Sequence, residues 1–439
     1  MNSFFQDIWA RRIALWAFVP MMFIYAASYF QRTAVPGTVF NDLQADYGLT
    51  GTQIAGMGSA YICIYAICQL LVGICADKYG GMRVITYAGI LFCIGALGFP
   101  LVCGSSTINL ILMYFMRVLC GLGSSGMFLS LLRENDHLFG RKNFSVVLGI
   151  VYFIGYGGGL LGTMPFAMLK SHFHWNIILI AVGILSFIIY LIFLLGKRAV
   201  PVEPVKAVPI SFRPLLFVLK NPYTWCVAFN SAVCFCCYFV IQTVFGMKFL
   251  LDYAKLSEKA ASGTIFSLTL ISMSTLLAGG ILTRLMNNRR KPLIIFSCGT
   301  TLFSSILMLV SILFHLPPFC FAAAYCLFAF ASGMSIAFSM LVQELNSKDI
   351  QTQSAAFLNM SGYLAVAIFS VLIGLLLDSF VDPSEFTGGK AVIYPTKAYA
   401  TLFGLLLIPT ITSFVISLFL PETKGHYVRE DYSKQIGRS

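Results

Sequence analysis

The chain has 439 residues, 58% of them hydrophobic and only 10% charged, with a formal net charge of +12. Soluble domains carry about 25% charged residues, so too few are present here to solvate this much apolar side chain, and a water-soluble fold is excluded. In such a chain the positive excess reads as a membrane-orientation signal and not as a nucleic-acid surface.

The opening MNSFFQDIWARR lacks the basic start, short apolar stretch and small-residue cleavage site of a leader, so the apolar run that follows is expected to span the membrane and remain. A hydrocarbon core of about 30 Å takes roughly 20 helical residues per crossing. Runs of that length occur twelve times. They start near residues 13, 53, 84, 109, 144 and 176, then 223, 259, 293, 319, 353 and 397. The expected architecture is an all-α polytopic membrane protein: 12 transmembrane helices in two pseudo-symmetric six-helix bundles.

Between spans six and seven, GKRAVPVEPVKAVPISFRP (196–214) is too rich in proline and charge to cross. It sets a first bundle over 1–196, an inter-bundle loop over 197–222, a second bundle over 223–420 and a tail over 421–439. Of 29 Lys and Arg residues, 21 fall in the N-terminal tail, the even-to-odd loops and the C-terminal tail, which puts both termini in the cytoplasm. The thirteen cysteines are scattered through apolar runs such as YICIYAICQL. Even CFCC (Cys234, Cys236, Cys237) has no His or acidic neighbours, so no metal, cofactor or disulfide framework is expected.

The two halves repeat in register. LQADYGLTGTQIAG after span one matches FLLDYAKLSEKAASG after span seven, aligning Thr50 with Ser257 and Gly56 with Gly263. The same offset carries Gly73 to Gly280 and Arg83 to Arg290. Thr50 with Gln53 forms a capping-box pattern, so each polar residue is expected to start the next helix. Parallel six-span repeats build a known transporter architecture with its substrate site at the repeat interface.

GICADKYGGMR, Gly73 to Arg83, resembles the loop motif of the major facilitator superfamily, and RVLCGLGSSG from Arg117 resembles that superfamily's fourth-span motif. The resemblance implies a major facilitator fold and gating residues Gly73, Asp77, Gly80 and Arg83. In the second half Arg284 replaces the acid, which implies a weaker latch there. GYGGGLLG, Gly155 to Gly162, points to close helix packing of span five.

Ionisable groups inside a bilayer are costly and usually functional. All Asp and Glu residues fall in loops or at helix ends, and only Arg32 and Arg117 read as embedded. An interior that is positive without an acidic counterpart favours an anionic cargo, held by charge-assisted hydrogen bonds to guanidinium. Two readings of Arg32 stand: an end residue snorkelling past Pro36 to the headgroups, or a substrate ligand on a helix face with Tyr25 and Tyr29. Arg117 lies too deep to snorkel. It is either a ligand or a structural arginine bonding backbone carbonyls.

YAASYFQRTAVP and the following span resemble the start of organophosphate:phosphate antiporters and their anion:cation symporter relatives. The resemblance implies that Arg32 binds a substrate phosphate or carboxylate. Where those antiporters carry a second-span lysine this chain has Gln69. Where they carry a seventh-span arginine it has Cys237 and Tyr238, and in place of their fifth-span histidine it offers Tyr152 and Tyr156. A singly charged cargo, such as a monocarboxylate or an amino acid, fits one arginine better than a phosphate dianion. Ser124, Ser125, Asn230, Gln242, Tyr325, Asn359 and Tyr363 are further candidate cavity residues, each equally readable as an interhelical hydrogen-bonding group. PETKG, residues 421–425, resembles a sugar-porter signature and reads here as an interfacial stop after span twelve.

The expected function is secondary active transport of a small anionic or zwitterionic metabolite by rocker-switch alternating access, as symporter or antiporter. The expected partners are the substrate, the lipid bilayer and a co-transported proton or counter-anion, with no nucleic acid and with the chain a monomer. Amphipathic efflux and a non-transporting sensor are the alternatives. No nucleophile–base or metal constellation supports an enzyme. Short loops and a short tail suit a bacterial inner membrane.

Overall fold

A computed structural model describes residues 12–200, 213–347, 350–387 and 390–428. The expected N-terminal tail, the centre of the inter-bundle loop and the end of the C-terminal tail lie outside the described residues. Every regular element among the described residues is helical. Eleven helical segments among them are long and apolar enough to cross a membrane, and the 29-residue helix Gly51–Tyr79 falls where span two is expected, completing twelve.

Span one is Arg12–Ala34, followed by a short outer helix, Phe40–Tyr47. Spans two, three and six are Gly51–Tyr79, Gly81–Gly98 and Trp175–Gly196. The sequence places a break between spans four and five, but the backbone is helical through all 55 residues of Thr107–Leu161. Yet the rings of Phe128 and Tyr152 lie 5.3 Å apart, whereas 24 residues of straight helix would separate them by about 36 Å. The helix axis therefore turns back between these residues, and this one stretch supplies both spans.

Span seven contains three pieces: Pro222–Val240, a π-helical turn Ile241–Phe245, and Gly246–Asp252. Gly246 permits the wide turn, since a Cβ there would stand 2.1 Å from the Ile241 carbonyl oxygen. Spans eight and nine are Glu258–Leu285 and Lys291–Leu313. Span ten breaks between Pro318–Gly333 and Ser335–Glu344, and spans eleven and twelve are Gln351–Asp378 and Thr396–Phe419.

The chain divides into two compact units, one of residues 1–47 and 56–210, the other of 48–55 and 211–439. In the first, small residues let helix backbones touch. A Cβ at Gly158 in span five would lie 2.0 Å from the Ala26 carbonyl oxygen of span one, whereas one at neighbouring Gly157 would meet nothing within 4 Å. Gly158→Val is thus expected to lower the thermal transition, at a cost of about 1–3 kcal/mol or more for forced overpacking. Gly157→Ala should leave it unchanged or raise it. Equal transitions in the two variants, measured in one detergent, would contradict this packing.

In the second unit the start of span two shows where the orphan N–H groups of a helix go. Thr50 N–H donates to Gln53 Oε1 (3.0 Å) and Gln53 N–H to Thr50 Oγ1 (3.2 Å), the reciprocal pair expected from the sequence. The Asp378 carboxylate at the end of span eleven accepts the Gly51 and Thr52 N–H groups at 3.0 and 2.7 Å. It also accepts the hydroxyls of Thr52 (2.6 Å) and Tyr394 (2.7 Å). Ser257 repeats the cap for span eight, its Oγ accepting from Ala260 N–H at 3.3 Å. Removing the shared acceptor with Asp378→Ala is expected to destabilise by about 2–3 kcal/mol, the scale of charge-assisted bonds. Thermal unfolding checks this, and a shift as small as that of Glu385→Ala, an exposed acid, would contradict it.

Lys248 corrects the sequence reading, which placed it at a span edge with only Arg32 and Arg117 embedded. It is 1% exposed and paired with buried Asp252 at 2.6 Å. Its ammonium also donates to the Val392 carbonyl at 2.7 Å and faces the Tyr394 ring at 5.1 Å. The i, i+4 pair lies in the last turns of span seven, so a helix end here is buried rather than wet. The second unit therefore holds a buried cation paired directly with a buried acid.

Candidate functional site

The first unit gathers the aromatic and cationic residues of spans one, two, four and five. Tyr25, Tyr29 and Arg32 share one face of span one, as their spacing requires. Arg32 is 6% exposed, and its guanidinium carbon lies 3.9 Å above the Tyr29 ring centroid and 5.9 Å from that of Tyr65. The guanidinium is thus inside the unit and stacked, the geometry of a cation–π contact, and does not reach out as a snorkelling end residue would.

Tyrosines wall this cation. Tyr25 OH bonds Tyr29 OH at 3.2 Å, Tyr29 lies 5.4 Å from Tyr156, and Tyr156 lies 6.4 Å from Tyr152. From span two, Tyr65 accepts a hydrogen bond from Gln69 Nε2 at 2.9 Å. Tyr61 stacks on Tyr65 and places its hydroxyl 2.7 Å from Ser124 Oγ. Ser125 is turned elsewhere, its hydroxyl bonding the Leu122 carbonyl at 2.7 Å. The described acids of this unit are engaged at other places. Asp42 pairs with Lys170, Asp46 accepts from Trp175 Nε1, and Glu134 accepts from Met82 N–H and faces His137.

Arg117 sits behind this wall. It is 0% exposed, its two terminal nitrogens donate to the carbonyls of Gln31 (3.3 Å) and Val35 (2.7 Å), and its guanidinium carbon lies 4.7 Å over the Tyr61 ring. These bonds tie span four to the end of span one, so Arg117 holds the segment that carries Arg32. Beside it the Gln31 amide, also buried, has no hydrogen-bond partner on either side-chain atom among the described residues. Sequence reading overlooked Gln31 because a lone glutamine in an apolar run carries no motif.

In the second unit, Asn230 and Tyr238 are buried in span seven, and neither polar atom of the Asn230 side chain has a partner among the described residues. Gln242 sits within the π turn and donates to Thr269 Oγ1 at 2.7 Å. Tyr363 is buried against Phe235 and Phe239, with ring separations of 5.1 and 5.8 Å. Asn359, one turn earlier on the same helix face, is exposed. Tyr325 is buried, its hydroxyl 3.5 Å from the Gly246 carbonyl beside that turn.

The sequence profile of the Major Facilitator Superfamily matches residues 21–370. The chain belongs to that superfamily. No curated protein matches it. Solved structures with the same fold include a bacterial homologue of the human lysosomal transporter Spinster, inward-facing and unoccupied. It is 15% identical, with 93% of this chain and 98% of that one aligned at a TM-score of 0.69. The nucleoside transporter NupG aligns at 14% identity over 93% and 99% of the chains with a TM-score of 0.71. A D-xylose-proton symporter aligns at 15% identity over 94% and 99% with a TM-score of 0.72. At these identities the likeness establishes the fold of a multi-pass transporter family and leaves the cargo to the site residues.

The superfamily loop motif can now be placed. Gly80 closes span two at φ +87°, a conformation that favours glycine, with its N–H on the Ala76 carbonyl at 2.9 Å. Met82 N–H, in the first turn of span three, donates to Glu134 Oε1 at 3.0 Å. Arg83 reaches the Tyr79 carbonyl at 3.5 Å, and Gly73 packs against Leu129. The side chains of Asp77 and Arg284 lie outside the described residues. In the second unit Arg290, the repeat partner of Arg83, is buried and forks onto Glu344 Oε1 through Nη2 (2.8 Å) and Nε (3.1 Å). PETKG folds back onto the same place, so it is more than a stop signal. Glu422 accepts from the N–H groups of Arg290 (2.9 Å) and Lys291 (3.1 Å), and the Thr423 hydroxyl bonds Glu344.

Proposed function

We propose that this superfamily member is a secondary active transporter for a small, singly anionic or zwitterionic metabolite, with Arg32 as the ligand for the anionic group. The observation that carries the reading is the Arg32 guanidinium, buried and stacked on Tyr29 among the tyrosines of spans one, two and five. A planar fork of donors in a low-dielectric wall favours a carboxylate or a phosphate monoanion. Tyr25, Tyr65, Tyr152, Tyr156 and Gln69 would surround the rest of the ligand, and Tyr238, Gln242, Asn230, Asn359 and Tyr363 are its second-unit candidates. This extends the resemblance to the organophosphate:phosphate antiporter and anion:cation symporter branch, with cargo carrying one charge instead of two.

Transport by rocker-switch alternating access, coupled to a proton or exchanged for a second anion, across a bacterial inner membrane with both termini cytoplasmic, completes the proposal. Thermal-shift screening of the purified protein against monocarboxylates, amino acids, sugar phosphates, nucleosides and cationic amphiphiles tests it. Stabilisation by the carboxylate or amino-acid arms supports the reading. Stabilisation by cationic amphiphiles alone would overturn it in favour of efflux.

A further inference from the structure

At the start of span nine a groove of about 500 Å³ is lined by Arg289, Lys291, Pro292, Ile295, Phe296, Glu422 and Lys424. None of its three cations has a carboxylate partner among the described residues. Its one acid is committed to backbone, accepting from the N–H groups of Arg290, Lys291 and Lys424. The helix start is therefore already capped, and the positive character of the groove rests on side chains. The opposite wall is apolar, with Phe296 51% exposed. Along the same helix Phe303, Ile306 and Leu313 are also exposed, at seven, ten and seventeen residues beyond Phe296, which is one continuous face.

We propose that this groove holds the headgroup of an anionic phospholipid, its phosphodiester among Arg289, Lys291 and Lys424, with an acyl chain along the face from Phe296 to Leu313. Basic pockets between membrane helices are suited to such headgroups. The apolar face decides between lipid and free phosphate, because a soluble anion gains nothing from exposed Phe296 and Phe303. The site shares no residue with the tyrosine cluster of the first unit and does not depend on what the protein carries.

Native mass spectrometry of the full-length protein, titrated with phosphatidylglycerol or with phosphatidylcholine of the same chains, tests this. The parent is expected to retain phosphatidylglycerol at least about tenfold more tightly, three cations each contributing roughly a fivefold factor before screening. The triple variant Arg289→Gln/Lys291→Gln/Lys424→Gln should fall to the phosphatidylcholine level. The exposed single variant Lys424→Gln should lose about fivefold with its thermal transition in phosphatidylcholine unchanged. Neutralising Lys259, Lys390 and Lys397 should change nothing. Equal retention of both lipids by the parent, full retention by the triple variant, or displacement of phosphatidylglycerol by millimolar inorganic phosphate would each overturn the proposal.

Discussion

Arg32→Gln is expected to weaken binding of the anionic cargo by about 100-fold, or about 3 kcal/mol, the scale of truncating one partner of a buried, hydrogen-bonded charge pair. Arg32→Lys should fall between, losing about tenfold, because an ammonium keeps the charge but not the planar fork or the stacking on Tyr29. The apparent Kd from ligand-induced thermal stabilisation checks both. The ligand-free transition of Arg32→Gln is read beside it, since the guanidinium also packs on the Tyr29 ring. A large fall in the ligand-free transition with unchanged relative affinity would assign Arg32 to the scaffold.

Arg117→Leu should do the reverse. Its two donors satisfy the carbonyls of Gln31 and Val35, which lie 86 and 82 residues away in sequence. Replacing it strands the Val35 carbonyl in apolar surroundings, leaves the Gln31 carbonyl only the Val35 N–H at 3.3 Å, and lets the end of span one move. The expected cost is about 3 kcal/mol, from one to a few kcal/mol for each buried group left unsatisfied. Thermal unfolding of the ligand-free protein reads this, with Arg117→Lys recovering part of the loss. A stable Arg117→Leu protein that merely fails to bind would return Arg117 to the ligand set.

Much of the fold is written in local signals. Spans two, four, seven and eight start one or two residues upstream of their sequence estimates, where Thr50, Ser106, Asn221 and Ser257 cap the first turn ahead of the first apolar residue. Thr50, Gln53 and Ser257 are legible for that reason: a capping box is contained within four residues. Glycine spacing shows that span five packs closely, but only the fold shows that Gly158 touches and Gly157 does not. Features built from distant residues leave no such trace. Glu422 reaching back to Arg290 and Lys291, and Asp378 receiving Gly51 and Thr52, depend on tertiary return of the chain. Lys248 misleads because its neighbours Asp252 and Tyr253 look like the start of a loop, whereas the π turn at Ile241–Phe245 leads into a buried last turn.

The candidate site divides the same way. One helix face brings Tyr25, Tyr29 and Arg32 together, so that part follows from spacing alone. Tyr61 and Tyr65 from span two, and Gln31 beside them, emerge only when spans pack. Asn359 and Tyr363 stay one turn apart on one helix face, and only the fold shows that Tyr363 packs into Phe235 and Phe239.

The central claim is that a negative charge on the cargo is recognised by Arg32. A double-mutant cycle in proteoliposomes reads it directly: counterflow of the identified acid and of its neutral primary amide, each with the parent and with Arg32→Gln. The account predicts that the parent prefers the acid by about 100-fold and that Arg32→Gln moves the two at similar rates, a coupling of about 3 kcal/mol. An undiminished preference for the acid in Arg32→Gln, or a parent that carries the amide equally well, would contradict it.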